Sequence, residues 1–224
     1  MTGEGSEGGA RALDEARIRL LPSDGQWPRP SRLPTAWSRR WVSPWENGAE
    51  AAVSVFVSPR AYVRLCAHAG SDLEQEVGGA LAGTWRRDRR NGREFVIVDA
   101  ILRAQHTRQG HAHVTFTQDS LVALHDELEE RYPGKQFVGW YHTHPRLGIF
   151  LSNLDTWLHE HFFPEPWQVA LVIDPHLLEG GFFVRRQDGT LDPRRYLGFH
   201  ELLRGGRESV VHWRNLQPAD ESGG

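Results

Sequence analysis

Lysine is nearly missing from this 224-residue chain: of 26 basic side chains, only Lys135 is a lysine. Codon choice in a GC-rich genome produces such a bias, and an enzyme beside a lysine-modifying pathway would also gain by lacking acceptor amines. Cysteine is just as scarce. With Cys66 alone, no intrachain disulfide forms and nothing demands an oxidising compartment. Cys66 lies in the apolar stretch Ala61–Ala67, which suits a buried inert thiol better than a nucleophile. No apolar run approaches the ~20 residues of a membrane span. The Gly- and acid-rich start, Met1–Ala10, has no apolar core of a signal peptide. A formal charge of -3 provides no field for nucleic acid or anionic membrane. These absences point to the cytoplasm and to partners other than nucleic acid and lipid.

What is present suggests one domain with tails. Apolar residues make up 39% of the chain, with 9 Trp and 10 Phe to fill a core. Residues 1–50 form a Gly/Pro/Trp-rich arm. Its Gly-rich start is expected to be disordered, and prolines at 22, 28, 30 and 34 block regular helix. Trp27, Trp37, Trp41 and Trp45 nevertheless crowd the arm, so it should dock, either on its own domain or on a partner. Residues 51–190 read as the main domain and 191–224 as a C-terminal extension.

Within the main domain, Val53–Val57 reads as a strand, and Pro59 opens a helix to about Ala69. Val77–Trp85 is a Gly-rich strand closed by the charged turn Arg86–Gly92, and Glu94–Leu102 is the next strand. A polar loop from Arg103 leads to a short strand, His113–Thr117. Leu121, Leu124, His125, Leu128 and Tyr132 recur at helical spacing until Pro133-Gly134. Gln136–Tyr141 is a strand, Ser152–Phe162 a helix with Ser152 as N-cap, and Trp167–Ile173 and Gly181–Arg185 a closing strand pair. Past Asp192 the pattern predicts a helix over Tyr196–Leu203 and a strand over Ser209–Trp213. Strands interleaved with helices make an α/β sandwich with a mixed central sheet flanked by helices.

The chemistry concentrates in Gly139-Trp-Tyr-His142-Thr-His144-Pro-Arg-Leu-Gly-Ile-Phe-Leu-Ser152-Asn-Leu-Asp155. Two histidines at i and i+2 on a strand point to one face. Ser152 and Asp155, three apart, share a face of a helix start. Two imidazole nitrogens and one carboxylate oxygen can thus converge on an ion. The fourth tetrahedral position is left for water, the catalytic form of a zinc site. Two other His-x-His pairs serve as controls. His159 and His161 diverge by about 200° on a helix, and His111 and His113 have no carboxylate following at short range. His68, His106, His125, His176, His200 and His212 read as surface or core histidines.

The spacing His142-x-His144, seven residues, Ser152, two residues, Asp155 resembles the JAMM motif of the JAB/MPN metalloprotease family. Val138–Pro145 and Val169-Ala-Leu-Val-Ile-Asp-Pro175 are similar to that family as well, and the likeness spans roughly residues 53–190. The family's Glu-x-x-Gly-x-Leu-x-Gly pattern is matched by Glu76-Val-Gly-Gly79-Ala-Leu81-Ala-Gly83, whereas Glu74 sets the Gly and Leu out of step. The resemblance implies a cytidine-deaminase-like fold and zinc (Zn2+) held by His142, His144 and Asp155. It also implies Glu76 as general base and Ser152 as a donor to the oxyanion. It implies an isopeptidase cutting behind the C-terminal Gly-Gly of a ubiquitin-like protein, with Arg103–His113 where the family places a substrate-contacting insertion. The arginine-rich, compact chain is similar to prokaryotic members, which accompany E1-like and E2-like enzymes, in some cases in antiphage defence. A hydrolase of small sulfur-carrier conjugates and a non-catalytic MPN scaffold are the alternatives. A nuclease lacks its basic patch here. The terminal Glu221-Ser-Gly-Gly224 resembles a ubiquitin-like tail, but the ~30 preceding residues are too short for such a domain, so it reads as a chance or disordered terminus.

Overall fold

A computed structural model of the chain describes residues 27–46, 51–104, 116, 118–203 and 208–219. The expected tail Met1–Ala10, most of the loop and strand expected over 103–117, and the terminal Gly-Gly lie outside the described residues.

The main domain begins with strand β3 (Ser54–Val57), preceded in the arm by β1 (Arg29–Ser31), a 3-10 turn (Pro34–Trp37) and β2 (Ser38–Val42). Helix α1 (Pro59–Ala69) follows β3. Ser58 caps it by accepting from the Ala61 amide at 3.2 Å, and Pro59 occupies its first turn, where its missing N–H is not needed. Strands β4 (Gly78–Asp88) and β5 (Glu94–Arg103) form a long antiparallel pair. Helix α2 (Gln118–Arg131) leads to β6 (Gln136–Thr143). Helix α3 (Asn153–Phe162), β7 (Val169–Asp174) and β8 (Glu179–Phe183) complete the second half, followed by β9 (Phe199–Leu202) and β10 (Gln217–Pro218). The strands build one ten-stranded mixed sheet in the order β10-β2-β9-β3-β5-β4-β6-β7-β8, with β1 parallel to the far end of β4. No helix among the described residues is long and apolar enough to cross a membrane.

Two glycines of the Glu-x-x-Gly-x-Leu-x-Gly stretch are dictated by close strand packing. A Cβ on Gly79 would lie 2.0 Å from the Leu102 carbonyl oxygen, and one on Gly83 would lie 1.8 Å from that of Ile97. The β4–β5 register shifts at Ala82/Gly83, a bulge that bends the pair.

Neighbouring side chains on β6 point to opposite faces. Tyr141 meets α1, its hydroxyl 2.8 Å from His68 Nδ1. Trp140 meets α3, its Nε1 donating to His159 Nδ1 at 3.1 Å. Both rings are almost fully buried, which stabilises each face by roughly 1.5–3 kcal/mol per ring. The strand that carries the paired histidines is therefore clamped from both sides.

Three expectations change. Tyr196–Leu203 is a strand region rather than a helix, because Phe199–Leu202 pairs antiparallel with β2 and parallel with β3. Its helical spacing is overridden by partners about 160 residues away in sequence. Ser209–Trp213 forms no strand, although Trp213 is buried. The four indoles of the arm do not share one fate: Trp41 is buried on β2, whereas Trp27, Trp37 and Trp45 are exposed.

Candidate metal centre

β6 ends at the site and α3 begins at it. His142 and His144 follow one another on the same face, and their Nε2 atoms lie 2.9 Å apart. Asp155, on the first turn of α3, brings Oδ1 to 3.4 Å from His142 Nε2 and Oδ2 to 3.6 Å from His144 Nε2. Tetrahedral bonds of ~2.0–2.1 Å separate neighbouring ligand atoms by about 3.3 Å, so these three atoms suit a zinc-sized ion. Among the described residues, His142, His144 and Asp155 are the group of His, Cys, Asp and Glu that could hold a metal.

The helix start orients the carboxylate. The Ser152 hydroxyl accepts from the Asp155 amide at 3.1 Å, and Asp155 Oδ2 accepts from the Ser152 amide at 2.7 Å, a reciprocal capping box. Burial opposes ionisation of Asp155. The hydrogen bond from His142, followed by that from the Ser152 amide, outweighs that and holds its carboxyl well below the usual carboxylate range.

The two imidazoles are supported differently. His144 Nδ1 lies 3.3 Å from the Gly148 carbonyl, which only accepts, so Nδ1 carries the proton and Nε2 presents its lone pair inward. His142 Nδ1 is buried with no hydrogen-bond partner in the structure. Its ring is held instead by stacking on Trp140, centroids 4.6 Å apart and planes 8° from parallel.

Glu76 approaches from the segment before β4, with Oε1 4.0 Å from His144 Nε2 and only 8% of its side chain exposed. Thr143, between the two histidines, fixes that segment: its hydroxyl accepts from the Val77 amide at 2.9 Å, and its own amide donates to the Val77 carbonyl at 2.8 Å. Glu74 instead points outward, 76% exposed and 3.8 Å from Arg146. Glu76 is thus the one of the two glutamates that lies beside the paired histidines.

The control histidines behave as their spacing requires. His159 is fully buried against Trp140, whereas His161 lies exposed, stacked on Trp157. Burial, reinforced by the Arg185 charge, keeps His159 neutral well below its ordinary pKa. Burial likewise pushes the Cys66 thiol up to about 11, an inert state. His68, His176, His200 and His212 bond to structural neighbours, and His125 faces Glu129. His106, His111 and His113 lie outside the described residues.

The sequence reading missed Asp174 and the Trp140–His159 pair. Asp174 stood inside the quoted Val169–Pro175 stretch, but nothing local signals that its carboxylate turns back to the loop 145–149. The phase of Trp140 and His159 was readable only once the helix was known to lie over the strand.

The sequence model of a family described as JAB1/Mov34/MPN/PAD-1 ubiquitin protease matches residues 50–163, half of the chain and every residue of this centre. COP9 signalosome complex subunit 5 of Caenorhabditis elegans is 28% identical over 139 residues, 61% of this chain and 36% of that protein. STAM-binding protein of Rattus norvegicus is 31% identical over 130 residues, 56% and 28% of the two chains. A protein named NAD(+) hydrolase TcpA, from Theionarchaea archaeon, is 41% identical over 69 residues, 30% of this chain and 21% of that one. The chain thus spans about a third or less of the length of these relatives. A solved structure from Desulfitobacterium hafniense aligns with TM-score 0.47 and 22% identity, over 70% of this chain and 98% of that one.

Proposed function

Since the chain belongs to the JAB1/Mov34/MPN/PAD-1 ubiquitin protease family, we propose that it is a zinc-dependent isopeptidase that hydrolyses the bond after the C-terminal glycine of a ubiquitin-like protein. The observation that carries this reading is the convergence of His142, His144 and Asp155 within 4.8 Å of one another, with Glu76 4.0 Å from His144.

His142 Nε2, His144 Nε2 and the Asp155 carboxylate are the atoms we assign as zinc ligands. Zinc bound there supplies a Lewis acid and lowers the pKa of a coordinated water from ~16 toward ~7. Glu76 is placed to take the proton of the attacking water as its oxygen bonds to the amide carbon. The same carboxyl returns that proton to the nitrogen as the C–N bond breaks and the amine leaves. The Ser152 hydroxyl accepts from the Asp155 amide and keeps its own proton to donate toward the oxyanion. Losing one such donor typically raises a barrier by about 3 kcal/mol. Ser152 has no histidine base among its recorded partners, which favours this role over that of nucleophile.

A C-terminal di-glycine suits the reading because glycine has no side chain and permits unusual backbone angles, so it fits a narrow groove. We take residues 51–190 as the catalytic unit. The setting, deconjugation or precursor processing in a bacterial ubiquitin-like pathway with E1-like and E2-like enzymes in the cytoplasm, rests on the resemblance of this arginine-rich, compact chain to prokaryotic members of the family.

Zinc content and cleavage of ubiquitin-like fusions with a C-terminal Gly-Gly junction, compared between wild type and Glu76→Ala, test the proposal. About one zinc per chain in both, with cleavage reduced ~10²–10⁴-fold in the variant, is the expected outcome. Equal cleavage by the variant removes Glu76 from the mechanism. A metal-free wild type at saturating zinc refutes the site.

A further inference from the structure

Asp174, the last residue of β7, is completely buried, yet its recorded partners are backbone amides and not a cation. Oδ1 accepts from the amides of Arg146 at 3.3 Å, His176 at 3.0 Å and Leu177 at 3.2 Å, and Oδ2 from Gly148 at 3.0 Å. A buried carboxylate needs such donors to remain charged. Two of them belong to the loop 145–149, which runs from His144 toward α3. That loop is not relaxed. Arg146 has φ 63°, in the left-handed region that disfavours any residue with a Cβ, whereas Gly148 at φ 80° occupies that region without the penalty. A strained backbone persists only where its surroundings over-determine it.

The same loop returns to His144. The His144 amide donates to the Ile173 carbonyl at 2.9 Å, next to Asp174, and the His144 ring donates through Nδ1 to the Gly148 carbonyl. Backbone and ring of one histidine are thus both referred to the end of β7. We propose that Asp174 is the positioning residue of His144. Its carboxylate gathers the amides of Arg146 and Gly148 and so holds the Gly148 carbonyl where it receives the Nδ1 proton, fixing the tautomer that leaves Nε2 bare. This inference rests on the metal-site reading above only for its functional consequence; the tautomer is a property of the protein alone.

The consequence separates the two imidazoles. His142, with no partner on Nδ1, is oriented by its stack on Trp140, and without metal its Nε2 is the nitrogen that can donate to the bare Nε2 of His144 at 2.9 Å. His144 arrives at the metal already in the ligating form. Loss of an outer partner of this kind typically lowers metal affinity 10–100-fold.

Asp174→Asn keeps the volume and removes acceptor capacity. Gly148→Ala is the second variant: a Cβ there meets nothing within 4 Å, so its effect comes only through the left-handed backbone. Long-range proton–nitrogen spectra of the imidazoles in the metal-free proteins report the tautomer, and cobalt(II) titration reports affinity. The expected result is a single Nδ1-protonated His144 in wild type and a tautomer mixture in both variants. Cobalt affinity is expected to fall 10–100-fold in Asp174→Asn and about 3–10-fold in Gly148→Ala. An unchanged tautomer in both variants overturns the inference, whatever their melting temperatures, and reduces Asp174 to an ordinary loop anchor. Should wild type bind no cobalt, the metal-site reading fails while the spectra still decide the role of Asp174.

Discussion

On the β6–β7–β8 flank of the sheet, strands that pair are close in sequence and the strand interiors are apolar: Val169–Ile173 is buried throughout, beside Trp140, Phe182 and Phe183, with the buried polar Asp174 at the end of β7. On the β9–β2–β10 flank, the paired segments lie about 160 residues apart and are joined by buried polar groups. Glu201 is fully buried and accepts from Trp41 Nε1 at 3.2 Å, Ser209 Oγ at 2.6 Å and the Val210 amide at 2.8 Å. Arg40 donates to His200 Nε2 at 2.9 Å, and Ser43 Oγ donates to the Tyr196 carbonyl at 2.7 Å. The first flank carries the candidate metal centre on a largely apolar platform. The second is a polar latch, specified by directional bonds because no local pattern can specify it. Damage to the latch should lower stability and spare the chemistry; damage at the metal centre should do the reverse.

The largest test of that division is Trp41→Ala. It removes an indole that is 91% buried and leaves Glu201 short of a donor, so unfolding free energy should drop by about 3–5 kcal/mol. Urea denaturation measures the loss, and cleavage per folded molecule should stay within about two-fold of wild type. A fall in turnover with no loss of stability would erase the distinction between the flanks.

Acid should open the latch next. Burial, followed by the Arg40 charge, lowers the His200 pKa to about 4. Because the folded value lies below the unfolded ~6.5, the unfolded chain binds the proton first as pH falls. Stability from this group is complete above pH ~6.5 and is lost through pH ~4, on the order of 3 kcal/mol in all. Urea midpoints at pH 7 and pH 4.5 should converge in His200→Gln relative to wild type. Equal pH dependence in both proteins would show that another group carries the acid sensitivity.

The smallest effect belongs to the site flank. Arg146 is left-handed, and its exposed pair with Glu74 contributes little. Arg146→Gly relieves the φ strain and loosens the unfolded chain, so the two terms nearly cancel, with a net gain below about 1 kcal/mol. Calorimetry should register a melting shift of only a few degrees at most. A marked loss would mean that the arginine side chain anchors the loop.

The two flanks also differ in how much the sequence disclosed. The start of α1 was readable because Pro59 acts within the helical turn that it opens. The His142–Asp155 spacing was readable because strand and helix periodicities fix which side chains share a face. Glu76 required the family resemblance, since an isolated glutamate carries no local sign of the Thr143–Val77 clamp that turns it inward. β9 was misread as a helix for the opposite reason. Tyr196, Phe199 and Leu203 fall at helical intervals, and the strand exists only because β2 and β3 lie on either side of it. A Cβ on Gly198 would lie 1.9 Å from the Trp41 carbonyl oxygen, a fit that belongs to two distant segments at once.

The placement of β2 between β9 and β10 bears on how the protein is made. A ribosome delivers residues 38–42 well before their two partners, 199–202 and 217–218. At ~5–20 residues per second, the Trp41 segment waits roughly 10–30 seconds during synthesis before either neighbour emerges. Through that interval an apolar indole and an unpaired strand are available to other nascent chains, so that interval is the one in which a holding chaperone would matter most for this protein.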